Sequence, residues 1–280
     1  MNCNALKLIL ISLALGSCAT VPTERAKVVS KTGKEYVVVL KKVNELALDE
    51  SIDFTADLLP KLPRTKIILE NNTMEIKKRA ELIGKSNEYY DNLSNYFSEL
   101  ELLINGDQSE VTSQALSDLA TTLKKEPIEL KLSDEKKESL TGLSAYVTKQ
   151  IHSIKVQNAL KRDADTIAQA LAISEKMLDE QIKWISLREK AIRDAEYITK
   201  IEKPFLSNAQ LTNDWKNDWK KYAKQPPVIV LLEEAKNASK EMQKSWKNIL
   251  RGDYSNEETL LALSNIKKGL DAVKTLKESE

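Results

Sequence analysis

Apolar residues recur at helical spacing along almost the whole chain. Val29, Tyr36, Val39, Leu40, Val43, Ala47, Phe54 and Leu58 form one stripe. Thr23 is placed to cap that helix, and Pro60-Lys-Leu-Pro63 ends it. A second helix is predicted from about Arg64 to Ile104, with Leu69, Met74, Ile76, Leu82, Ile83, Tyr89, Leu93, Tyr96, Phe97, Leu100 and Leu103 inward. At 1.5 Å per residue it is roughly 60 Å long. Asn105-Gly106-Asp107 is its stop. A shorter helix, about Ser109 to Lys125, carries Val111, Ala115, Leu116, Leu119 and Leu123, and Pro127 closes it.

Glu126 to Leu132 is a connection, and Ser133 caps the next helix. Leu140, Leu143, Val147, Ile151 and Ile154 continue the apolar pattern without a strong breaker. One helix is therefore predicted from Ser133 to Lys203, with a bend near 153–155 and Pro204 as its stop. Ala164, Leu171, Leu178, Ile185 and Ile192 step by seven, the spacing of a coiled-coil seam. A short helix lies within Leu206 to Gln225, and another runs from Pro226-Pro227 to Arg251. After Gly252, Ser255-Asn-Glu-Glu258 is a capping box for a last helix through Leu260, Leu263, Ile266, Leu270, Val273 and Leu276. The pattern predicts an all-α fold: an elongated bundle of long antiparallel helices.

Leu103-Ile-Asn-Gly-Asp-Gln-Ser109 parallels Leu250-Arg-Gly-Asp-Tyr-Ser255, and each precedes a short helix containing Ala-Leu-Ser. A duplication would give two helical-hairpin halves, 23–126 and 155–280. Any helical hairpin also needs a glycine stop and a polar cap, so both explanations stand.

The chain holds 43 basic and 42 acidic side chains. That balance argues against a dedicated nucleic-acid binder. The sole histidine, His152, and scattered glycines leave no histidine-based metal site, catalytic triad or phosphate loop. Asp163 and Asp165, two apart, do not share a helical face. No enzyme, metal or cofactor is expected. The most unusual stretch is Asp214-Trp215-Lys-Asn-Asp218-Trp219-Lys-Lys-Tyr222. Trp215, Trp219 and Tyr222 share a face with Leu211, among Lys216, Lys220, Lys221 and Lys224. They are candidates for contact with a partner protein or a membrane surface. The competing explanation is that the two tryptophans close one end of the bundle core.

The first eighteen residues carry a different signal. Lys7 precedes the apolar run Leu8 to Leu15, and Leu15-Gly16-Ser17-Cys18 comes after it. The run is too short to span a bilayer, which takes roughly 20 residues. This segment resembles the signal peptide of bacterial lipoproteins. The resemblance implies cleavage between Ser17 and Cys18, a diacylglyceryl group on the Cys18 thiol, and acylation of the new amine. Residues 1–17 are then the signal, 18–22 a lipidated tether and 23–280 the helical body. Two or more acyl chains anchor a protein stably. Ala19, where an aspartate would retain a lipoprotein at the inner membrane, points to the outer membrane, facing the periplasm. With Cys3 removed and Cys18 lipidated, no cysteine remains for a disulfide. The expectation is a lipid-anchored, non-enzymatic interaction or scaffold module with an envelope protein as partner. The alternative is a membrane-active helical protein.

Overall fold

The computed structural model describes residues 21–106, 110–124, 132–147, 153–207, 210–223 and 227–252, with scattered positions between 257 and 268. Ser17, Cys18, His152 and the Ser255 cap lie outside the described residues. The fold is an all-α helical bundle, with no strand among the described residues.

Helix α1, Val21–Leu58, takes Pro22 and Thr23 into its first turn, so Thr23 does not stand ahead of it as a cap. A 3-10 turn, Leu59–Lys61, leads to α2, Lys66–Ile104. Helix α3 is Glu110–Lys124 and α4 is the short Asp134–Glu138. After a second 3-10 turn at Leu143–Tyr146 comes α5, Ile154–Glu196. A π-helical turn, Tyr197–Glu202, passes into α6, Lys203–Leu206. Helices α7, Asn213–Ala223, and α8, Pro227–Leu250, complete the described elements.

The glycine stops act as the pattern requires. Gly106 and Gly252 have φ of 97° and 76°, and their N–H groups donate to the carbonyls of Leu103 and Ile249 at 3.2 and 3.1 Å. This left-handed conformation costs a residue with a Cβ roughly 1–2 kcal/mol. The seam also holds: Ala164, Leu171, Leu178, Ile185 and Ile192 are all buried.

The predicted helix from 133 to 203 is corrected at both ends. Ser133 is a cap, accepting from the Lys136 N–H, but its helix lasts only five residues. Gly142 then turns left-handed at φ 72°. The Asp165 carboxylate accepts from the N–H groups of Gly142 (3.0 Å) and Leu143 (2.8 Å). These two long-range bonds hold the turn beyond the helix, at the start of the 3-10 turn, where the local pattern shows no break. The expected bend near 153–155 is instead the start of α5, where Ser153 accepts from the Val156 and Gln157 N–H groups. Ile154 is exposed there, as are Leu69, Met74 and Leu82 on α2, all predicted inward. Nor does Pro204 stop the chain. The π turn pairs the Lys203 N–H with the Ile198 carbonyl, and Pro204 enters the first turn of α6, where no N–H is needed.

The chain forms two compact units. Each draws on α1, α2, α5 and α8, so each unites segments distant in sequence.

The first unit comprises described residues up to Val38, from Glu88 to Lys176, and from Asn237 onward to Leu261. Its core is aromatic. Trp246 stands edge-on to Tyr96 and Phe97, with ring centroids 6.3 and 6.5 Å away. Its indole N–H donates to the Ala164 carbonyl at 3.0 Å. Tyr36 shares a 2.7 Å hydrogen bond with Ser239, and the Tyr89 hydroxyl donates to the Ala170 carbonyl. Trp246 against Ala164 and Gln243 against Glu175 show α8 running antiparallel to α5.

Asp163 is the one fully buried acid among the described residues of this unit. Arg162 grips its carboxylate side-on, Nε to Oδ1 at 2.5 Å and Nη2 to Oδ2 at 2.9 Å, and reaches Ser113 with Nη1. The Tyr96 hydroxyl also favours the carboxylate. Burial still outweighs these contacts and raises the Asp163 pKa above its ordinary 3.8. The folded state then binds the proton more readily than the unfolded state. The resulting stabilisation is complete below the ordinary value and is lost as pH rises through the folded one. The excess stability of the wild type over Asp163→Asn is therefore expected to be larger at about pH 3 than at about pH 7. Urea unfolding at both pH values measures it. An excess that grows toward neutrality would show that the Arg162 pairing prevails over burial.

The second unit comprises Val39 to Asn87, Met177 to Lys236, and described positions from Ser264 onward. Its core mixes apolar with polar side chains. The α1 stripe Leu40, Val43 and Ala47 continues one turn at a time as Ser51 and Thr55, also buried. Each satisfies its hydroxyl on the carbonyl four residues back, at 2.5 and 2.8 Å, which lets it occupy an apolar position. Gln181 donates to Asn44 at 2.7 Å, and Asn44 to Asn87 at 3.3 Å. Asn44 with Gln181 and Thr55 with Arg188 show α1 and α5 running in the same direction.

Candidate functional site

In the second unit, α6, the π turn and α7 build a surface cluster. Thr212 starts α7: its Oγ1 accepts from the Trp215 N–H at 3.2 Å, and its carbonyl from the Lys216 N–H at 3.3 Å. Asp214 lies in the first turn, with Lys220 and Lys221 in the last, so both ends complement the helix dipole. Yet α7 buries no residue fully. The explanation of Trp215 and Trp219 as core residues is therefore corrected. An eleven-residue helix of this polarity holds its place by edge contacts.

Those contacts use the α7 face formed by Leu211, Trp215, Asp218 and Tyr222, all half-buried. Trp215 donates its indole N–H to the Ile201 carbonyl at 3.0 Å and stacks on Phe205, 5.8 Å between centroids at 19°. Tyr222 lies 4.8 Å from the Tyr197 ring, under the Arg193 guanidinium at 4.7 Å, and its carbonyl accepts from Arg193. Thus Trp215 and Tyr222 fasten α7 to the unit. Trp219 does not share that duty. The packed row steps from Trp215 to Asp218, which leaves Trp219 half exposed at its margin.

The sequence pattern missed other exposed apolar residues on these elements. Phe205 and Leu206 on α6 are 57% and 68% exposed, and Trp219 on α7 is 50% exposed. Ile198, on the π turn, is also exposed. Lys203, Lys216, Lys220 and Lys221 are exposed on the same three elements. Pro204-Phe-Leu206 resembles a helix stop, which hid two exposed apolar residues inside what the pattern assigns to a loop. Chemically the cluster has no nucleophile–base pair. It offers apolar and aromatic surface with a lysine rim, suited to binding.

A second cluster in this unit escaped sequence reasoning. Two guanidiniums lie over the Trp184 ring, Arg79 at 3.5 Å and Arg188 at 4.5 Å from its centroid. Glu75 pairs with Arg188 and accepts from the Trp184 indole at 3.4 Å, while Arg188 donates to Thr55 at 3.2 Å. Burial first, then the Arg188 charge, lower the Arg79 pKa to about 10, against the opposing pull of Glu75. Arg188 in turn holds the Glu75 carboxyl below its ordinary value. The spacing was visible, 75 with 79 and 184 with 188. Nothing local says that the two pairs meet. The arrangement ties α1, α2 and α5 together and acts as a structural clamp.

Among the described residues no group of His, Cys, Asp and Glu is placed to hold a metal ion. No helix there is long and apolar enough to cross a membrane. Asp163 and Asp165 serve different tasks, one facing Arg162 and one the Gly142 turn. Comparison with protein-family models, curated proteins and solved structures finds no match. Fold and site together define the class: an all-α helical bundle with an exposed aromatic and aliphatic cluster.

Proposed function

We propose that this is a lipid-anchored protein of the bacterial envelope, engaged by its partner through the α6–α7 cluster and carrying no reaction centre. The carrying observation is the exposure of Phe205, Leu206 and Trp219 on two short helices that bury no residue fully. Leaving such side chains in water forgoes roughly 25 cal/mol per Å² of apolar surface. A partner that covers them recovers that energy, and aromatic anchors dominate such contacts. The resemblance of residues 1–18 to a lipoprotein signal supports the anchor at Cys18, with the outer membrane as its site. The partner is another envelope protein. No cofactor or nucleic acid takes part.

The test is a photo-crosslinking residue placed at Leu206, at Trp219 and, as control, at exposed Leu187 of the anchored protein. A defined protein adduct from 206 and 219, absent from 187, is expected. Trp219→Ala with Leu206→Ser should abolish that adduct when the crosslinker sits at Phe205. The double change should leave unfolding free energy within about 0.5 kcal/mol, as surface substitutions do. Equal adducts from all three sites, or none from the cluster, would overturn the reading.

The lysine rim beside Trp219 favours a second reading, a membrane-active surface, because Trp and Lys suit the lipid interface. The Cys18→Ser form separates the two. If it binds vesicles of mixed phosphatidylglycerol and phosphatidylcholine, and Trp219→Ala with Leu206→Ser abolishes that binding, the second reading replaces the first.

A further inference from the structure

A groove of about 410 Å³ lies in the first unit, remote in sequence from α6 and α7. Its lining includes Lys136, Lys240, Lys244, Lys247 and Arg251, with Glu175 as the only carboxylate among the described residues. Among the described residues no aliphatic or aromatic side chain lines it. The whole chain is nearly neutral, 43 basic residues against 42 acidic, so five cations and one acid among the described lining residues are a local excess.

The fold creates the excess in two ways. Helix α8 repeats a cation at 240, 244, 247 and 251, steps of four, three and four that keep one face, over roughly 16 Å. Lys136 arrives from α4, a separate element. The Ser133 cap fixes that helix at one end, and the Asp165 bonds to Gly142 and Leu143 pin the turn after it. The pattern alone would merge α4 with α5 and lose this convergence.

A solvated helix face is the plainest alternative. It accounts poorly for the lysines that have no counter-charge among the described residues. Glu175 is engaged by the Gln243 amide at 2.8 Å, and Lys244 pairs with Glu258 and Glu241. Among the described residues no carboxylate pairs with Lys240 or Lys247, and none pairs with Lys136. The dipole at the C-terminus of α8 favours Lys247 and Arg251 but falls off within a turn, short of Lys240. Arg251 stacks on Tyr146 at 4.8 Å, a contact made by the flat face of a guanidinium; its donors lie around the edge.

Pockets for ordinary small molecules are mostly apolar. This lining selects a ligand that is itself charged. Ammonium groups act as point charges toward phosphate oxygens, and here four stand with one guanidinium. From this geometry we infer that the groove binds a multivalent, phosphate-bearing anion laid along the C-terminal half of α8. The phosphates belong either to a soluble oligophosphate or to clustered lipid headgroups. The inference does not depend on the α6–α7 cluster, and the two are tested by different substitutions.

The test uses the full mature chain carrying Cys18→Ser and inorganic tripolyphosphate as the probe, titrated calorimetrically at about 20 mM and about 200 mM salt. Binding is expected at low salt and should weaken at high salt, because exposed charges are screened. Lys240→Gln with Lys247→Gln should weaken it at least tenfold. Neither lysine has a partner to lose among the described residues, and an unchanged helical circular dichroism signal verifies the fold. Equal affinity in wild type and variant, or no binding at low salt, overturns the site. A polyglutamate peptide of equal charge binding as tightly overturns the phosphate assignment. Displacement of the probe by phosphatidylglycerol vesicles from wild type would support a lipid source, and retention of the probe a soluble one.

Discussion

Trp246→Ala is expected to lower the unfolding free energy by about 3–5 kcal/mol, the range for truncating a buried large aromatic side chain. The residue is fully buried and stands edge-on to two further buried rings, Tyr96 and Phe97. Truncation removes both ring contacts and opens a cavity that these stiff neighbours fill poorly. It also removes the indole N–H donated to the Ala164 carbonyl at 3.0 Å. Trp246→Phe separates the causes. It keeps a ring while losing that hydrogen bond, so a cost of about 1–2 kcal/mol is expected, including some lost volume. Urea unfolding followed by circular dichroism gives both values. A loss below about 1 kcal/mol for Trp246→Ala would mean that the aromatic core does not hold the first unit.

The second large effect reverses a helix-propensity rule. In an exposed helix, Gly→Ala stabilises by about 1 kcal/mol. Gly33→Ala is expected to destabilise by about 1–3 kcal/mol instead. A Cβ at position 33 would sit 2.6–2.7 Å from three atoms of the Phe97 ring. That ring is itself fully buried and packed by Tyr96 and Trp246, so it has little room to withdraw. Glycine there is what allows α1 and α2 to approach with Phe97 between them. Gly33→Ala combined with Phe97→Leu should recover part of the loss, giving a favourable coupling in a double-mutant cycle. A stabilised Gly33→Ala would show that the ring swings aside cheaply.

Much of the architecture was legible because helices announce themselves locally. The period of apolar residues, the glycine stops at 106 and 252, the Ser133 cap and the seven-residue step from Ala164 to Ile192 all involve neighbours within a turn or two. Burial was less legible. Leu69, Met74 and Leu82 obey the period but stay exposed, whereas Ser51 and Thr55 break it and are buried. A hydroxyl that bonds its own helix backbone is nearly apolar in effect, and hydropathy does not record that. The break after α4 was hidden because the carboxylate that holds the turn there, Asp165, lies twenty-three positions beyond Gly142.

The candidate sites divide the same way. The composition of α7 drew attention to Trp215, Trp219 and Tyr222, and the structure assigns two of them to holding the helix and one to the surface. The other two tryptophans drew none, since Trp184 and Trp246 lie in ordinary amphipathic stretches. Their importance rests on Arg79 and Phe97, which lie far away along the chain.

Periodicity, caps and breakers within this chain were enough to establish its all-α class and most of its long helices, because those depend on hydrogen bonds and spacing of a few residues. Which stripe is covered, why Gly33 must lack a side chain, and how Lys136 joins the α8 cations were decided only in three dimensions. Those facts depend on which distant surfaces meet, and contact between distant segments leaves no trace in local order.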